Sequence, residues 1–432
     1  MKERPYLRLW ENISESKCMA FISGPRQAGK KIPAQAVGAA IAIALISLPT
    51  TLPFKGICAA AIVAAAICLG FLTRFRFPFR PNAAPPRPPP DWPSDGLQKL
   101  GSCPVCQSPR RQTLYEGLTD RTFFCAPGSW TLHQCSDCGC AYLDPRPAPE
   151  AISLAYSSYF THDSSNGRDT ANLSGLAFWR RAFDNSYVNW RFGTRFHPVA
   201  PIWGRILVSI IPFERAKLEA EGRNLPKPKD GSRLLDVGCG NGAFLTFARS
   251  MGYDTMGTDV DPKALDIARS QGLRVFQGSV DDLSGFEAAF DVITLCHVIE
   301  HVHDPTRLLR RCRELLKPGG FLWIDTPNID SQGHRIYGAH WRGLEPPRHL
   351  VVFSWASLEA ALRQADFGRI ERLPWQPSCA GMFMKSEVIR SGNDPRARVN
   401  LSFRDRARGL APECRALLNP SVRETIGLRA WS

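Results

Sequence analysis

The 432-residue sequence lacks the patterns expected of a nucleic-acid-binding protein or a disulfide scaffold. Its formal net charge is +14, but no basic run is interleaved with aromatic residues as in a nucleic-acid groove. Its 14 cysteines are scattered, apart from two C-x-x-C pairs. This usage favours a reducing compartment and a bound metal over a disulfide framework. We therefore expect no nucleic-acid partner, and the length allows two or more domains.

Acidic residues are absent from two apolar segments, 36–54 and 57–72, which a short turn containing Lys55 separates. Each is slightly shorter than the roughly 20 residues of a membrane-spanning helix. Basic residues flank both outer ends, so the positive-inside rule places both ends in the cytoplasm. We interpret residues 32–80 as a transmembrane hairpin. One spanning helix with an interfacial helix, or a signal-anchor, are the alternatives. The protein is thus expected at the membrane, with the part of the chain after residue 80 in the cytoplasm.

The first 31 residues lack part of the motif that they otherwise resemble. The run from Gly24 to Lys30 resembles the start of a P-loop ATPase, but Lys31 replaces the Ser or Thr that binds magnesium. We interpret residues 1–31 as a vestigial or fused fragment. Residues 81–100 contain a run of prolines and are predicted to form a linker that holds the soluble part off the bilayer.

Two C-x-x-C pairs lie within residues 101–147, a segment that we interpret as a zinc ribbon. Each pair puts two thiolates on one tight turn, which is half of a tetrahedral zinc site. Four cysteine ligands leave no open position for chemistry, so the zinc would be structural. The alternative is four unlinked buried thiols, and Cys125 and Cys140 are spare thiols nearby. The predicted ligands are Cys103, Cys106, Cys135 and Cys138.

The stretch from Leu234 to Gly242 organises the rest of the chain. A short apolar run predicts a buried strand, three glycines at spacing two predict a turn, and an apolar-periodic segment then predicts a helix. Glycines let a ligand approach the backbone, and the helix N-terminus offers free N–H groups. The spelling D-x-G-x-G-x-G differs from the dinucleotide turn G-x-G-x-x-G. Asp236 would repel a pyrophosphate but not a ligand with a positive sulfonium.

This stretch resembles the class I S-adenosylmethionine-dependent methyltransferases, in the branch similar to ubiquinone-biosynthesis O-methyltransferases. The resemblance covers about residues 231–390 and implies S-adenosylmethionine as the cofactor. Residues 101–147 are similar to the zinc-ribbon front piece of some bacterial methyltransferases of this branch, which often act on sugars or cell-envelope intermediates. Four more blocks carry the resemblance: Gly257-Thr258-Asp259, Phe290-Asp291-Val292-Ile293, Val298-Ile299-Glu300-His301-Val302 and Leu316-Lys317-Pro318-Gly319-Gly320.

Short apolar runs alternate with helical patterns after residue 231, which predicts an α/β fold with a doubly wound, mainly parallel sheet. The family resemblance implies seven strands in a methyltransferase domain over residues 231–390. Residues 148–230 are aromatic-rich and predicted to form a helical cap, whose aromatics belong either to the core or to the acceptor pocket. Residues 391–432 are predicted to be a poorly ordered basic tail. The predicted strands are 233–237, 254–258, 292–296, 321–325, 368–373 and 381–387, and the helices are 242–251, 262–270, 304–317 and 355–366.

The resemblance also implies the cofactor-binding residues. Asp259, at the end of the second strand, would accept both ribose hydroxyls; capping of the next helix is the alternative, which Asp261 fits better. Asp236 would hold the cofactor's ammonium group, directly or through water. Ser279 and Val280 follow the third strand, where the family contacts adenine, although many relatives carry an acid there. The predicted set is completed by Gly238, Gly240, Gly242 and Leu295.

Two histidines are the candidates for a catalytic base, which is needed only if the acceptor is a hydroxyl or a carbon acid. His349 follows a double proline in a loop expected to overhang the methyl-transfer site; a structural histidine is the alternative. His297 follows the fourth strand, where ubiquinone-type enzymes carry an acid whose cluster can hold a divalent metal. Glu300 and His301 match the family's Glu-His pair, or serve only in turn hydrogen bonds.

Together these features predict a membrane-tethered methyltransferase with a small-molecule, sugar-linked or lipid-linked acceptor, O-methylation being favoured. One alternative keeps the enzyme but places the acceptor on protein or RNA, with the ribbon as a recognition module. The other is a non-catalytic scaffold that binds the cofactor at the membrane. The intact glycines and Asp259 argue against this last alternative.

Overall fold

The structure is a computed structural model that describes residues 91–156, 175–395 and 403–432. Within these ranges no helix has both the length and the apolar character required to cross a bilayer. The P-loop-like segment, the predicted transmembrane hairpin and the first ten residues of the proline-rich linker lie outside the described residues. Those three predictions therefore stay predictions.

The cysteine-rich segment folds as a small antiparallel sheet. Strands β2, β3 and β4 pair in sequence, and β1 pairs with β5 beside them. The C-x-x-C pairs lie in tight turns between the strands. The turn that begins at Cys103 and the turn that begins at Cys135 are each closed by a backbone hydrogen bond. The strands are β1 (Leu97–Gln98), β2 (Arg111–Leu118), β3 (Trp130–Cys135), β4 (Ala141–Leu143) and β5 (Arg146–Pro147).

Three helices follow where the sequence predicts a helical cap: α1 (Gly175–Phe192), α2 (Ile202–Ile210) and α3 (Pro212–Glu221). Tyr187 and Phe192 of α1 are buried, and the Phe192 ring packs 5.8 Å from that of Phe247. Other aromatics of the segment, such as Trp179 and Trp190, are half exposed. The aromatic residues thus divide between the core and the surface.

The alternating part of the chain forms a parallel sheet with helical crossovers. Local sequence explains where the helices begin and end. Asp261 caps α5 and Asp304 caps α6, and a proline follows each of them. Gly242 precedes α4 and Gly252 follows it, both in left-handed conformations. The elements are β6 (Arg233–Val237), α4 (Ala243–Met251), β7 (Asp254–Asp259), α5 (Pro262–Ser270), β8 (Arg274–Gln277), β9 (Phe290–Cys296), α6 (Pro305–Leu315) and β10 (Leu316–Pro327).

The rest of the chain completes both sheets. Strand β11 pairs with β4, so the methyltransferase-like part supplies a strand to the cysteine-rich sheet. The other sheet has seven strands in the order β12-β13-β10-β9-β6-β7-β8, and β13 runs antiparallel to its neighbours. The elements are α7 (Gln332–Tyr337), β11 (Val351–Val352), α8 (Trp355–Gln364), β12 (Ile370–Arg372), α9 (Cys379–Arg390), α10 (Phe403–Leu418) and β13 (Thr425–Trp431).

Two predictions about the C-terminal region are wrong. Residues 381–387, predicted as a strand, lie within α9, and the predicted disordered tail contains β13. Alternate residues of β13 are buried, and it pairs with β10 from Phe321 opposite Trp431 to Pro327 opposite Thr425. Apolar residues alternate with other residues along β13, as expected of a half-buried strand. The nearby arginines instead suggested a basic tail. The sheet therefore extends well beyond residue 390.

One apolar core joins the cysteine-rich sheet to the seven-stranded sheet. Cys103, Val105 and Tyr142 belong to the same buried cluster as Leu235 and Ile293 of the central strands. The cysteine-rich segment is therefore packed against the larger domain and shares its hydrophobic stabilisation.

Candidate functional site

The glycine turn leaves open space beside the end of β6. Gly240 has a φ of +52°, and a Cβ atom built on it would meet nothing within 4 Å. A Cβ on Gly242 would instead come 2.3 Å from Leu273 Cδ1, so that glycine is required for packing between the turn and the neighbouring chain. The space at Gly240 fits a ligand that lies against the backbone, as the sequence predicts for the cofactor.

Asp259 ends β7 directly beside this turn. Its Oδ2 accepts the Gly240 N–H at 2.8 Å, and its Oδ1 accepts the Asp261 N–H at 2.9 Å. Capping of α5 falls to Asp261, whose carboxylate accepts the Lys263 N–H at 2.9 Å. Asp259 is thus placed at the turn and not used as a helix cap.

Asp236 is buried at the end of β6 and is paired with Arg223. The guanidinium donates to the carboxylate at 2.5 and 3.4 Å, and the Thr294 hydroxyl donates to it at 2.7 Å. The Arg223 guanidinium carbon also lies 3.5 Å from the centroid of the Phe244 ring. Arg223 belongs to no sequence motif, so only this contact identifies it as a candidate functional residue.

The other predicted cofactor residues offer few side-chain groups to a ligand. Ser279 caps a short 3₁₀ turn, Val280–Asp282, and its hydroxyl accepts the Asp281 N–H at 3.2 Å. The Val280 and Leu295 side chains are buried in the core, so any contact with a ligand would come from their backbone or a small edge of the side chain. Gly238 has a φ of +70°, and a Cβ there would come 2.6 Å from Val298 Cγ2.

His297 follows β9 and faces outward while contacting a buried acid. Its φ is +52°, a conformation that non-glycine residues seldom adopt. Its Nδ1 lies 3.0 Å from Glu300 Oε1, and Glu300 also accepts the Thr326 hydroxyl at 2.9 Å. Desolvation opposes charge on the imidazole, but the Glu300 carboxylate outweighs it and raises the pKa of His297 to about 9. His297 is therefore protonated at neutral pH.

His301 and His349 make an edge-to-face ring contact near Glu300. Their ring centroids are 4.7 Å apart, and the three residues can bring one ligand atom each within 4.8 Å of one another. His349 Nδ1 lies 2.8 Å from the Gly343 carbonyl oxygen, so this nitrogen carries the proton, and the unprotonated Nε2 lies 3.8 Å from Glu345 Oε2. Burial lowers the pKa of His349 to about 4. The enclosed imidazole thus differs from an unperturbed histidine, whose pKa lies near 6.5.

The loop that carries His349 is held by a buried ion cluster. Arg348 is fully buried and binds Asp120 of the cysteine-rich segment and Glu345 of its own loop. Burial alone would raise the pKa of Glu345, but Arg342 and Arg348 hold it well below its usual range. His301 Nδ1 lies 3.0 Å from the Arg348 carbonyl oxygen and 3.1 Å from the Tyr156 hydroxyl. The loop that carries Arg348 and the segment that ends at Tyr156 thus hold His301 in place.

The four predicted zinc ligands converge. The Sγ atoms of Cys103 and Cys138 are 3.7 Å apart, those of Cys106 and Cys135 are 3.5 Å apart, and all four lie within 4.8 Å of one another. The spare thiol of Cys140 lies 3.4 Å from Cys103 Sγ.

Residues 214–371 match the family model described as a methyltransferase domain. The chain is 38% identical over 124 residues to the ubiquinone biosynthesis O-methyltransferase of Cereibacter sphaeroides, which covers 27% of this chain and 50% of that protein. It is also 38% identical over 149 residues to the protein of the same name from Xanthomonas oryzae, which covers 32% of this chain and 62% of that protein. Residues 214–371 therefore contain a methyltransferase domain.

This methyltransferase domain spans only part of its curated relatives, between 50% and 62% of the two described above. A methyltransferase structure from Archaeoglobus fulgidus is 19% identical, covering 49% of this chain and 90% of that chain with a TM-score of 0.35. The seven-stranded sheet agrees with the α/β fold that the resemblance implies, and its one antiparallel strand makes the sheet mixed.

Proposed function

We propose that this methyltransferase domain moves a methyl group from S-adenosylmethionine to a hydroxyl of a small-molecule, sugar-linked or lipid-linked acceptor. One observation carries the proposal: the open space at Gly240 and the carboxylate of Asp259 lie at the same edge of the sheet as His297 and Glu300, which follow β9. Ligands of parallel α/β sheets bind beyond the carboxyl ends of the strands. A cofactor at the turn would thus present its reactive group towards the histidines.

The cofactor-binding roles follow the chemistry of each side chain. Asp259 would exchange one of its backbone contacts for the ribose hydroxyls, which a carboxylate can accept in pairs. The Arg223–Asp236 pair offers both charges to the zwitterionic amino-acid end of the cofactor, the guanidinium for the carboxylate and Asp236 for the ammonium. Gly238, Gly240 and Gly242 supply the close backbone approach. Ser279, Val280 and Leu295 would border the adenosine.

The protein has little chemistry to perform beyond alignment. S-adenosylmethionine supplies a methyl group already activated by the sulfonium, so positioning of the acceptor contributes much of the rate. A hydroxyl acceptor must also lose its proton. His349 is neutral at neutral pH, but it is buried and its Nε2 lies 3.8 Å from Glu345 Oε2. His297 reaches solvent, but Glu300 keeps it protonated. We propose these two residues as the alternative bases.

Structural zinc is proposed at the four cysteines. Tetrahedral zinc with bonds of about 2.3 Å places its sulfur ligands roughly 3.8 Å apart. The Sγ–Sγ distances, 3.7 Å between Cys103 and Cys138 and 3.5 Å between Cys106 and Cys135, fit this geometry. The ion would hold the ribbon against the methyltransferase domain and take no part in methyl transfer.

Membrane attachment through residues 32–80, with the methyltransferase domain in the cytoplasm, is part of the proposal and rests on the apolar sequence alone. The full chain is expected to pellet with membranes and to resist carbonate washing. Recovery in the supernatant would instead make the apolar stretch a core or interface element. A lipid-linked acceptor would be presented at the same surface.

Transfer of labelled methyl from S-adenosylmethionine into envelope extracts tests the function. We expect a labelled small molecule or lipid, identified by mass spectrometry, and no change after RNase treatment. Label in protein, or label lost with RNase, would support the alternative in which the ribbon recognises a macromolecule. Cofactor binding without turnover would support the non-catalytic scaffold.

A further inference from the structure

Helices α1 and α2 expose an unusual amount of apolar side chain. Ile202, Ile206 and Ile210 lie four residues apart on α2 and therefore on one face, and each is more than half exposed. The other face of α2 is closed against α1, since a Cβ on Gly204 would come 2.8 Å from the Phe183 ring. The exposed isoleucines are thus the outer face of a packed helix pair. Soluble monomers seldom expose contiguous apolar patches of this kind without a partner.

Tryptophans extend the isoleucine row across both helices. Trp203 packs against Phe183 with ring centroids 5.1 Å apart, and Phe183 in turn contacts Trp179. Trp179, Trp190 and Trp203 are each about half exposed. We call this surface, formed by the three tryptophans and the three isoleucines, the α1–α2 patch. Tryptophan is enriched where protein meets the boundary between lipid headgroups and hydrocarbon.

The charge on the two helices is mainly positive. Residues 175–213 contain five arginines and one aspartate, Asp184, and two of the arginines, Arg180 and Arg191, are paired with Glu214 and Glu219 of α3. Arg205 lies 5.1 Å from the centroid of the Trp190 ring, and Arg195 is exposed in the segment between α1 and α2. An apolar face with a basic rim matches an anionic lipid surface, whereas two copies of this patch would bring arginines against arginines.

We propose that the α1–α2 patch binds the surface of an anionic phospholipid bilayer. The isoleucines and tryptophans would enter the boundary between headgroups and hydrocarbon while the arginines contact lipid phosphates. This contact is separate from the hairpin predicted at residues 32–80, because it uses helices α1 and α2 of the cap that precedes the methyltransferase domain. It would orient the domain on the membrane and does not depend on which acceptor is methylated.

A photo-cross-linker at position 206 tests the contact locally. The full chain carrying Ile206→p-benzoylphenylalanine is irradiated with vesicles of phosphatidylcholine and phosphatidylglycerol in equal amounts. We expect phospholipid adducts at position 206, with a yield about tenfold lower when phosphatidylglycerol is omitted. Phe276→p-benzoylphenylalanine, at an exposed aromatic position on β8, is the matched control and should give few adducts. If the hairpin inserts into the membrane but the patch does not contact lipid, position 206 will give no lipid adducts. The experiment therefore tests the patch independently of the hairpin.

Charge variants complete the test. Arg195→Glu should lower the adduct yield at position 206 several-fold, while Arg335→Glu, also at an exposed arginine but outside the patch, should not. Adducts to a second chain, or to residues 1–90 or 157–174 of the same chain, would overturn the proposal by naming another occupant. Absent adducts, or equal yields with neutral and anionic vesicles, would overturn it as well.

Discussion

The Arg348 guanidinium binds the Asp120 carboxylate through two hydrogen bonds, of 2.6 and 3.0 Å, and both side chains are buried. Asp120 belongs to the cysteine-rich segment, and Arg348 precedes the candidate base His349. The same carboxylate accepts four backbone N–H groups of residues 122–126. The pair therefore ties the order of the ribbon to the position of the loop at the candidate site.

Breaking this pair should strongly destabilise the protein. Removing one partner of a buried pair leaves an uncompensated charge and costs about 3–5 kcal/mol. We expect Arg348→Met and Asp120→Asn each to lower the free energy of unfolding by about this amount in urea titrations, and the double variant to lose less than the sum of the two. Asp137→Asn is the control, since its partner Arg110 is largely exposed and the change should be small. Equal losses for Asp137 and Asp120 would contradict this account.

Cofactor binding should depend on Asp259. Loss of a carboxylate that accepts two ribose hydroxyls should cost on the order of 2–4 kcal/mol, or about 30- to 1000-fold in affinity. Calorimetry with Asp259→Ala measures this loss. Asp261→Ala, two residues away, removes the cap of α5 and should lower stability by about 1 kcal/mol while leaving affinity unchanged. Unchanged binding by the Asp259 variant would refute its assignment to the ribose.

The ribbon should contain about one zinc per chain, which metal analysis of protein never exposed to chelator can measure. Cys135→Ser should lose the metal and unfold residues 101–147, because a structural site contributes its binding energy to folding. Cys140→Ser is the informative comparison, since this thiol lies 3.4 Å from Cys103 yet is outside the predicted ligand set. Loss of zinc in the Cys140 variant alone would show that the ligand set was assigned wrongly.

Glu424 should make stability depend on pH. Its carboxylate is buried and accepts the Trp341 indole N–H and the Gly333 N–H, and burial raises its pKa to about 7. The unfolded chain releases this proton near pH 4.5, so stability should fall as pH rises from about 4.5 to 7, by roughly 3 kcal/mol in total. Glu424→Gln should make this slope clearly shallower in unfolding measurements, whereas Glu371→Gln, at a half-exposed site, should preserve it. An unchanged slope without Glu424 would assign it to other groups, such as the buried Glu413, whose pKa burial also raises.

Local patterns predicted the central sheet, while the parts that depend on distant contacts were missed. The apolar runs at β6, β7 and β9 and the caps of α5 and α6 carry their own sequence signatures. Strand β13 alternates over seven residues, but only its pairing with β10 distinguishes it from a basic tail. Arg223 and Asp120 belong to no motif, and their roles arise from partners 13 and 228 residues away in sequence. The pKa of His349 likewise depends on burial, which spacing does not reveal.

The pH profile of turnover should identify the base, because a base must be deprotonated to accept a proton and activity rises with pH through its pKa. If His349 acts, the rise should lie near pH 4 and the rate should be flat from about pH 6 upwards. If His297 acts, activity should keep rising to about pH 9. The variant that removes the true base, His349→Gln or His297→Gln, should lower kcat by about 10²-fold and leave cofactor affinity nearly unchanged. Full turnover by both variants at every pH would mean that the acceptor is already a nucleophile, such as an amine or thiolate, and would remove the support for O-methylation.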